Sequence, residues 1–366
     1  MAKKIFIAAT QQNDGKTTVS LGLIAALKKH FPRIGFIKPI GQRYLVEQGY
    51  KVDEDSVLIE EVFGIKCNIK DMSPLAIERG FTERFIEKGG AEDEYAKQIT
   101  EAYERIASDN DLVIIEGTGH AGVGSVFNLS NAAVAKLLDT NVILISSGGV
   151  GKPIDEVMLN KALLDKEGVT LAGVIVNKVL PEKYDRISRL VRMGLDQKSM
   201  NVFGTLPYQK ILDIPTMREI KEEIKVETLY AGAKVDNPVS NVLIGAMNVK
   251  DALRFVTPDS LMIIPGDRDE MMDAMCKVHS GHLLKKGCPV SGIIVSGGLM
   301  PKQGSLRRLE RSKIPVLITK EDTYSIASRI HSMVVKLKPQ DTAKIKIIVD
   351  MVDKCIDIDK VLASLK

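Results

Sequence analysis

A chain of 366 residues, 45% hydrophobic and 27% charged, is long enough for two domains, three at most, each with its own apolar core. Its 51 basic and 47 acidic residues leave a net charge of +4, so no electrostatic footprint for nucleic acid or a membrane surface is present. Cys67, Cys276, Cys288 and Cys355 lack Cys-x-x-Cys spacing, which excludes a zinc knuckle and reads as reduced core thiols; with no signal-peptide pattern or membrane-length apolar run, a cytoplasmic protein is expected.

The first predicted element is a short apolar strand over Lys4–Ala8. A tight loop follows, Thr10-Gln11-Gln12-Asn13-Asp14-Gly15-Lys16-Thr17-Thr18, and then a helix over Val19–Lys29. Strand, loop ending in Gly-Lys-Thr, and helix form the layout of a phosphate-binding P-loop. Gly15 lets backbone approach a phosphate, and N–H groups at the helix start point at the anion. Lys16 brings a positive charge to the β- and γ-phosphates, and the Thr17 hydroxyl is a ligand for Mg²⁺. Thr10 stands where the motif usually has its first Gly.

Short apolar runs then alternate with helical patterns. Strands are predicted at Ile34–Lys38, Leu112–Ile115, Asn141–Ser146, Leu171–Asn177 and Val202–Leu206. Helices are predicted at Asp55–Phe63, Ala91–Ala107, Asn131–Leu138, Pro153–Glu167 and Glu182–Met193. The pattern is that of an α/β, doubly wound, mainly parallel sheet, whose ligands sit at the carboxyl ends of the strands. Residues there are the candidates for chemistry. Lys38 ends the second strand, and a second ammonium at that edge suits a γ-phosphate or an acidic intermediate. Glu116 ends Leu112–Ile115 in a Walker-B arrangement, where an acid holds Mg²⁺ directly or through water. Gly117, Gly119, Gly122 and Gly124 make a flexible loop after it, and His120 in that loop reads equally as a substrate contact or a plain loop imidazole. Asp55, in Asp53-Glu54-Asp55-Ser56, reads by itself as an N-cap or helix-dipole carboxylate. Asn177 is either a loop residue or an amide facing a purine edge.

Near Tyr208 the pattern changes. Ile211–Pro215 is turn-like, Met217–Tyr230 reads as a charged helix, and the segment 211–238 reads as a link to a second unit. From Val239 to about residue 340 a smaller α/β unit alternates Ala246–Val249, Asp251–Phe255, Leu261–Ile264, Asp269–Val278, Val290–Val295, Leu306–Arg311, Val316–Thr319 and a helix over Thr323–Met333. Residues 341–366 read as a tail of one or two helices. Gly266-Asp267-Arg268 and Ser296-Gly297-Gly298 end two strands of this unit, where glycine allows close approach of a ligand or partner, or simply a turn.

Thr10-Gln-Gln-Asn-Asp-Gly-Lys-Thr-Thr, Phe36-Ile-Lys-Pro-Ile-Gly, Ile115-Glu-Gly-Thr-Gly, Val176-Asn-Lys and Gly204-Thr-Leu-Pro together resemble the dethiobiotin synthetase family. The resemblance extends to the dethiobiotin-synthetase-like N-terminal region of long bacterial phosphotransacetylases, which the loop His120–Ser125 also matches. Gly266-Asp267-Arg268 and Ser296-Gly297-Gly298 resemble the DRTGG domain that follows in those enzymes, with Asp269-Glu270 in place of Thr-Gly-Gly. The resemblance implies a P-loop NTPase domain over residues 1–210, a linker over 211–238, a DRTGG-like domain over 239–340 and a helical tail over 341–366. It implies ATP and Mg²⁺ as cofactors, with Thr17, Asp55 and Glu116 as metal ligands. Lys16 and Lys38 would stabilise the transferring phosphoryl group and a carbamic–phosphoric anhydride. Thr10, Gln11, Asn13, Asp14, Gly15, Lys16, Thr17 and Thr18 would line the nucleotide, with Asn177 at adenine.

The function expected is a regulatory ATP-binding protein or slow ATPase, with a DRTGG-like unit that senses a small molecule or forms a homodimer or higher homo-oligomer. The alternatives are an ATP-dependent ligase or carboxylase acting on a small amine or carboxylate, and a partitioning ATPase of the same P-loop architecture. The acetyl-transfer domain of the phosphotransacetylases is not in this sequence, so acetyl transfer is not expected of it.

Overall fold

The computed structural model describes residues 2–90, 92–230, 236–283 and 289–366; Met1, Ala91, Cys288 and part of the expected linker lie outside them. The chain divides into two compact units, residues 1–209 with 337–366, and residues 210–336.

Unit 1 is built on a six-stranded parallel sheet. Its strands are β1 (Lys3–Ala9), β2 (Ile34–Ile37), β3 (Leu112–Glu116), β4 (Val142–Ser147), β5 (Leu171–Val179) and β6 (Val202–Pro207), in the order β6-β5-β4-β1-β3-β2. Helices α1 (Lys16–Leu27), α2 (Glu54–Phe63), α3 (Glu92–Asp109), α4 (Asn131–Leu137), α5 (Gly151–Glu167) and α6 (Tyr184–Asp196) connect them. The central strands are continuous apolar runs because both faces are covered: every residue of β3 is buried, as are Ile5–Ala9 of β1. The chain leaves β1 with β3 on one side and β4 on the other, which opens the crevice at the carboxyl edge beyond β1. Between β2 and α2 runs a hairpin that the sequence pattern did not reveal, Tyr44–Glu47 paired antiparallel with Tyr50–Asp53. Its two-residue turn places Gln48 and Gly49 both at positive φ (52° and 84°), the geometry that matches strand twist.

The last thirty residues belong to this unit, where the sequence suggests a separate tail. Helices α11 (Thr342–Cys355) and α12 (Ile358–Ser364) follow the second unit and return to the first. Val352 lies against Gly22 of α1 so closely that a Cβ at Gly22 would come 2.3 Å from it. At Gly204 in β6 a Cβ would come 2.2 Å from the Cys355 carbonyl. Lys366 exchanges both backbone hydrogen bonds with Lys4 at the start of β1, at 3.0 and 3.1 Å. Ile348, Val352 and Val361 are fully buried, so the apolar face of this segment contributes to the core.

Unit 2 has a five-stranded sheet of β7 (Glu227–Tyr230), β8 (Asn241–Ile244), β9 (Ser260–Pro265), β10 (Val290–Ser296) and β11 (Val316–Ile318), in the order β7-β11-β10-β9-β8, with β7 antiparallel. Alternate residues go to opposite faces. Met262 and Ile264 meet α8 (Asp269–His279) and α9 (Gln303–Ser312). Leu261 and Ile263 meet α7 (Met217–Ile224) and α10 (Thr323–Ser332). The segment 217–230 is therefore not one helix. A capping box between Thr216 and Glu219 starts α7, Lys225 at φ 50° stops it, and the next residues form β7. Strand β8 precedes Ala246–Val249, the first run expected there, which is a turn leading into the short helix Val249–Ala252.

Much of the expected linker is thus core of unit 2. Met217 is fully buried, and a Cβ at Gly292 would come 2.3 Å from its Cε. Met217→Ala is expected to lower the stability of unit 2 by about 2–4 kcal/mol. Denaturant unfolding of the whole chain measures it; a change within ~0.5 kcal/mol would return 211–238 to a linker role. No helix among the described residues is long and apolar enough to cross a membrane.

Candidate functional site

Four strand ends converge at the carboxyl edge of the unit 1 sheet. Ile7 pairs with Glu116, Ala9 with Ile145, and Ser147 with Asn177. The loop Thr10–Gly15 leaves β1 there and enters α1. Gly15 has φ 94°, a backbone conformation that side chains resist, and Asn13 also has positive φ (64°). Lys16, Thr17 and Thr18 form the first turn of α1, where backbone N–H groups have no intrahelical acceptor.

The loop is tied down from within. Thr10 Oγ1 lies 2.9 Å from Asp14 Oδ2, 3.2 Å from Ser146 Oγ and 3.1 Å from Glu156 Oε2. The Gln11 N–H donates to Asp14 Oδ2 at 2.8 Å, and its Nε2 donates to Glu156 Oε1 at 2.7 Å. Burial pushes the Asp14 carboxyl above its ordinary range against the pull of these donors. Asn160 on α5 donates to the Thr10 carbonyl and accepts the Ala121 N–H. Asn177, 4% exposed, lies beneath the loop and donates from Nδ2 to the Asp14 carbonyl at 2.8 Å. A Cβ at Gly15 would come 2.2 Å from that same nitrogen. The structure therefore gives Asn177 a contact with the loop backbone, while the sequence resemblance assigns it to adenine.

Beside the loop is a buried charge cluster. Lys38, 6% exposed, places Nζ 3.0 Å from Asp53 Oδ1, in contact with Asp55 Oδ2, and 3.7 Å from Glu116 Oε1. Burial disfavours the ammonium, but the Asp55, Glu116 and Asp53 carboxylates outweigh it and hold Lys38 charged well above its usual range. Glu116 is fully buried, and burial pushes its carboxyl upward against the attraction of Lys38. Its Oε1 accepts from Thr17 Oγ1 at 3.1 Å, while its Oε2 is buried with no hydrogen bond of good geometry, the buried Ser20 hydroxyl being its neighbour. Burial also depresses Lys16, partly offset by Glu116. Among the described residues no three His, Cys, Asp or Glu side chains are arranged to hold a metal by themselves, and the Lys38 ammonium stands among the three carboxylates. The hard oxygen donors Thr17, Asp55 and Glu116 nevertheless lie together, and the orphaned Glu116 oxygen is what a cation would satisfy, so the residues fit Mg²⁺.

Asp53 was not singled out by sequence, although it lies two residues before Asp55. It is the N-cap of α2, accepting from the Asp55 N–H at 3.0 Å, and this frees Asp55 to face Lys38. Glu156, Asn160 and Ser146 were also missed, since they lie far along the chain from the loop they brace and no motif marks them. The Gly-rich loop after Glu116 is braced by Asn131, which accepts the Thr118 N–H and donates to the Thr118 and His120 carbonyls. His120 is exposed, and its Nδ1 accepts the Gly122 N–H of its own loop.

In unit 2, Arg268 donates to the Met247 carbonyl at 2.9 Å and to Glu270 at 2.6 Å. The N–H groups of Gly297 and Gly298 donate to the Glu321 and Thr319 carbonyls. Both motifs therefore join neighbouring loops at the carboxyl edge of that sheet.

A family model described as AAA domain matches residues 3–216, and one described as DRTGG domain matches residues 219–333. A phosphate acetyltransferase of Synechocystis is 26% identical over 374 residues, covering 100% of this chain and 52% of that protein. One of Pseudomonas putida is 28% identical over 371 residues, covering 96% and 50%. The chain spans about half the length of the curated relatives it matches. Among solved structures, the MinC:MinD cell division protein complex of Aquifex aeolicus aligns with TM-score 0.38 and 16% identity over 58% of this chain and 84% of that one. The CBS and DRTGG domains of the regulatory region of Clostridium perfringens pyrophosphatase, complexed with the activator diadenosine tetraphosphate, align with TM-score 0.28 and 16% identity over 42% and 71%.

Proposed function

The chain belongs to the AAA domain family and carries a DRTGG domain behind it, and from that premise we propose that it is a regulatory protein, or slow ATPase, that binds ATP with Mg²⁺ and whose DRTGG unit senses a small molecule or forms a homo-oligomer. The observation that carries this reading is the Glu116 carboxylate, fully buried, bonded to the Thr17 hydroxyl through one oxygen and unsatisfied at the other, beside a P-loop. Loop and helix N–H groups from Gly15 to Thr18 hold the phosphates, and Lys16 adds charge at the β- and γ-positions. Thr17, Asp55 and Glu116 hold the metal, which when bound neutralises charge across those phosphates. Thr10, Gln11, Asn13 and Asp14 shape the loop.

A dethiobiotin-synthetase-type ligase requires Lys38 to face a transferring phosphoryl group. In the nucleotide-free protein the ammonium faces Asp53, Asp55 and Glu116.

Lys16→Ala is expected to weaken Mg²⁺-dependent binding of a fluorescent ATP analogue about 10- to 100-fold, since a charge-assisted phosphate contact contributes roughly 1.5–3 kcal/mol. Circular dichroism should be unchanged. If the wild-type chain binds no nucleotide, or the variant binds as tightly, the ATP reading is wrong.

A further inference from the structure

We infer that Lys38 is a tethered counter-cation: its ammonium holds, in the nucleotide-free protein, the position among Asp53, Asp55 and Glu116 that it must share or yield when a divalent ion binds. This deepens the reading above and rests on Thr17, Asp55 and Glu116 as the metal's ligands.

Three carboxylates are buried within reach of one ammonium. Buried charged carboxylates without a cation are strongly unfavourable, and Lys38 is the cation in direct contact with them, with Lys16 farther off. Lys38 is fixed for the task. It directly follows the end of β2, and its backbone N–H is bonded to the Met72 carbonyl at 2.8 Å. The three carboxylates are not equivalent. Asp53 is immobilised by three contacts: its side chain caps α2, its own N–H donates to Ser73 Oγ at 2.9 Å, and Lys38 lies 3.0 Å away. Glu116 is the loosest partner of Lys38, at 3.7 Å, and it alone carries an orphaned oxygen.

The exchange follows from this asymmetry. A divalent ion drawn to Thr17 and to the free oxygen of Glu116 meets the Lys38 ammonium at short range, and the two repel. Lys38 keeps Asp53 and gives up Asp55 and Glu116. The repulsion that remains is offset only when the phosphates of a nucleotide arrive with the metal. Free Mg²⁺ therefore binds weakly, and metal and triphosphate enter together. Removing the ammonium should convert this unit into one that needs free metal to fold well.

The test is thermal unfolding of the full chain in chelator and in millimolar Mg²⁺, without nucleotide. Wild-type protein should melt at the same temperature in both. Lys38→Met should melt several degrees lower in chelator and regain most of the loss in Mg²⁺. Mn²⁺ titrated by electron paramagnetic resonance should bind Lys38→Met about tenfold or more tightly than wild type. If Lys38→Met does not fold in chelator, Lys38→Arg, which keeps the positive charge, should fold there and melt alike with and without Mg²⁺; a Lys38→Arg protein that needs Mg²⁺ overturns the inference. A Lys38→Met protein as stable as wild type in chelator overturns the inference, as does a wild type that responds to Mg²⁺ equally. Nucleotide binding is scored separately. ATP binding with a metal-indifferent Lys38→Met rejects the counter-cation alone, and a metal-responsive Lys38→Met without ATP binding rejects the nucleotide alone.

Discussion

Truncation after Pro339 is expected to leave unit 1 unable to fold, although no part of the P-loop, Lys38 or Glu116 is removed. The deletion takes away α11 and α12, and with them Ile348, Met351, Val352, Ile356, Val361 and Leu365, all buried. At about 1.5–3 kcal/mol for each buried apolar side chain, their loss amounts to roughly 9–18 kcal/mol. That equals or exceeds the 5–15 kcal/mol typical of a whole domain. The deletion also strips cover from Gly22 on α1, Gly204 on β6 and the backbone of Lys4 on β1. The truncated chain should be insoluble, or should bind a hydrophobic dye and lack a cooperative melt for this unit. Val352→Asp should act in the same direction through a single buried, unpaired charge, costing about 3 kcal/mol or more. A soluble truncated protein with the wild-type melting temperature and wild-type ATP-analogue affinity would show that the C-terminal helices are dispensable. Residues 334–366 fall outside both matched family models.

Gly15→Ala is expected to cost nucleotide affinity about 100-fold while the protein remains folded. Two effects act on the same atom. Backbone at φ 94° is strained for any side chain, by roughly 1–3 kcal/mol. The new Cβ would also stand 2.2 Å from Asn177 Nδ2, so the amide that holds the Asp14 carbonyl must leave. Asn177→Ala should weaken binding less, about tenfold, by leaving that carbonyl without its donor. Combined, the two substitutions should lose less than the sum of the separate losses, because the smaller residue removes the clash. Equilibrium titration of the four proteins with a fluorescent ATP analogue measures this coupling. Strict additivity would show that Asn177 does not position the loop, and a loss from Asn177→Ala confined to adenine-containing nucleotides would restore the purine contact.

The architecture was readable because buried parallel strands are written as unbroken apolar runs. Lys4–Ala8, Leu112–Ile115 and Asn141–Ser146 could hardly be anything else, and the observed strands lie within about a residue of them. Gly15-Lys16-Thr17 and Glu116 were placed at strand ends for a related reason: each follows or closes an apolar run, and the structure puts them there. The hairpin Tyr44–Asp53 was hidden because it is largely exposed and its apolar residues follow no single face. Strand β7 was hidden because Met217–Tyr230 carries enough charge at helical spacing to pass for one helix, and only the turn at Lys225 breaks it.

The sequence by itself therefore determined the class of fold, the strand ends where chemistry is possible, and the identity of the loop, all of which follow from local pattern and short-range spacing. Only the tertiary structure decided what those residues face. It put Lys38 among Asp53, Asp55 and Glu116, set Asn177 under Gly15, and joined Glu156 to Thr10 across 146 positions of chain. It also returned the final thirty residues to the first unit. Charge pairing and close packing act through space, between residues whose separation along the chain is arbitrary, and no periodicity records them.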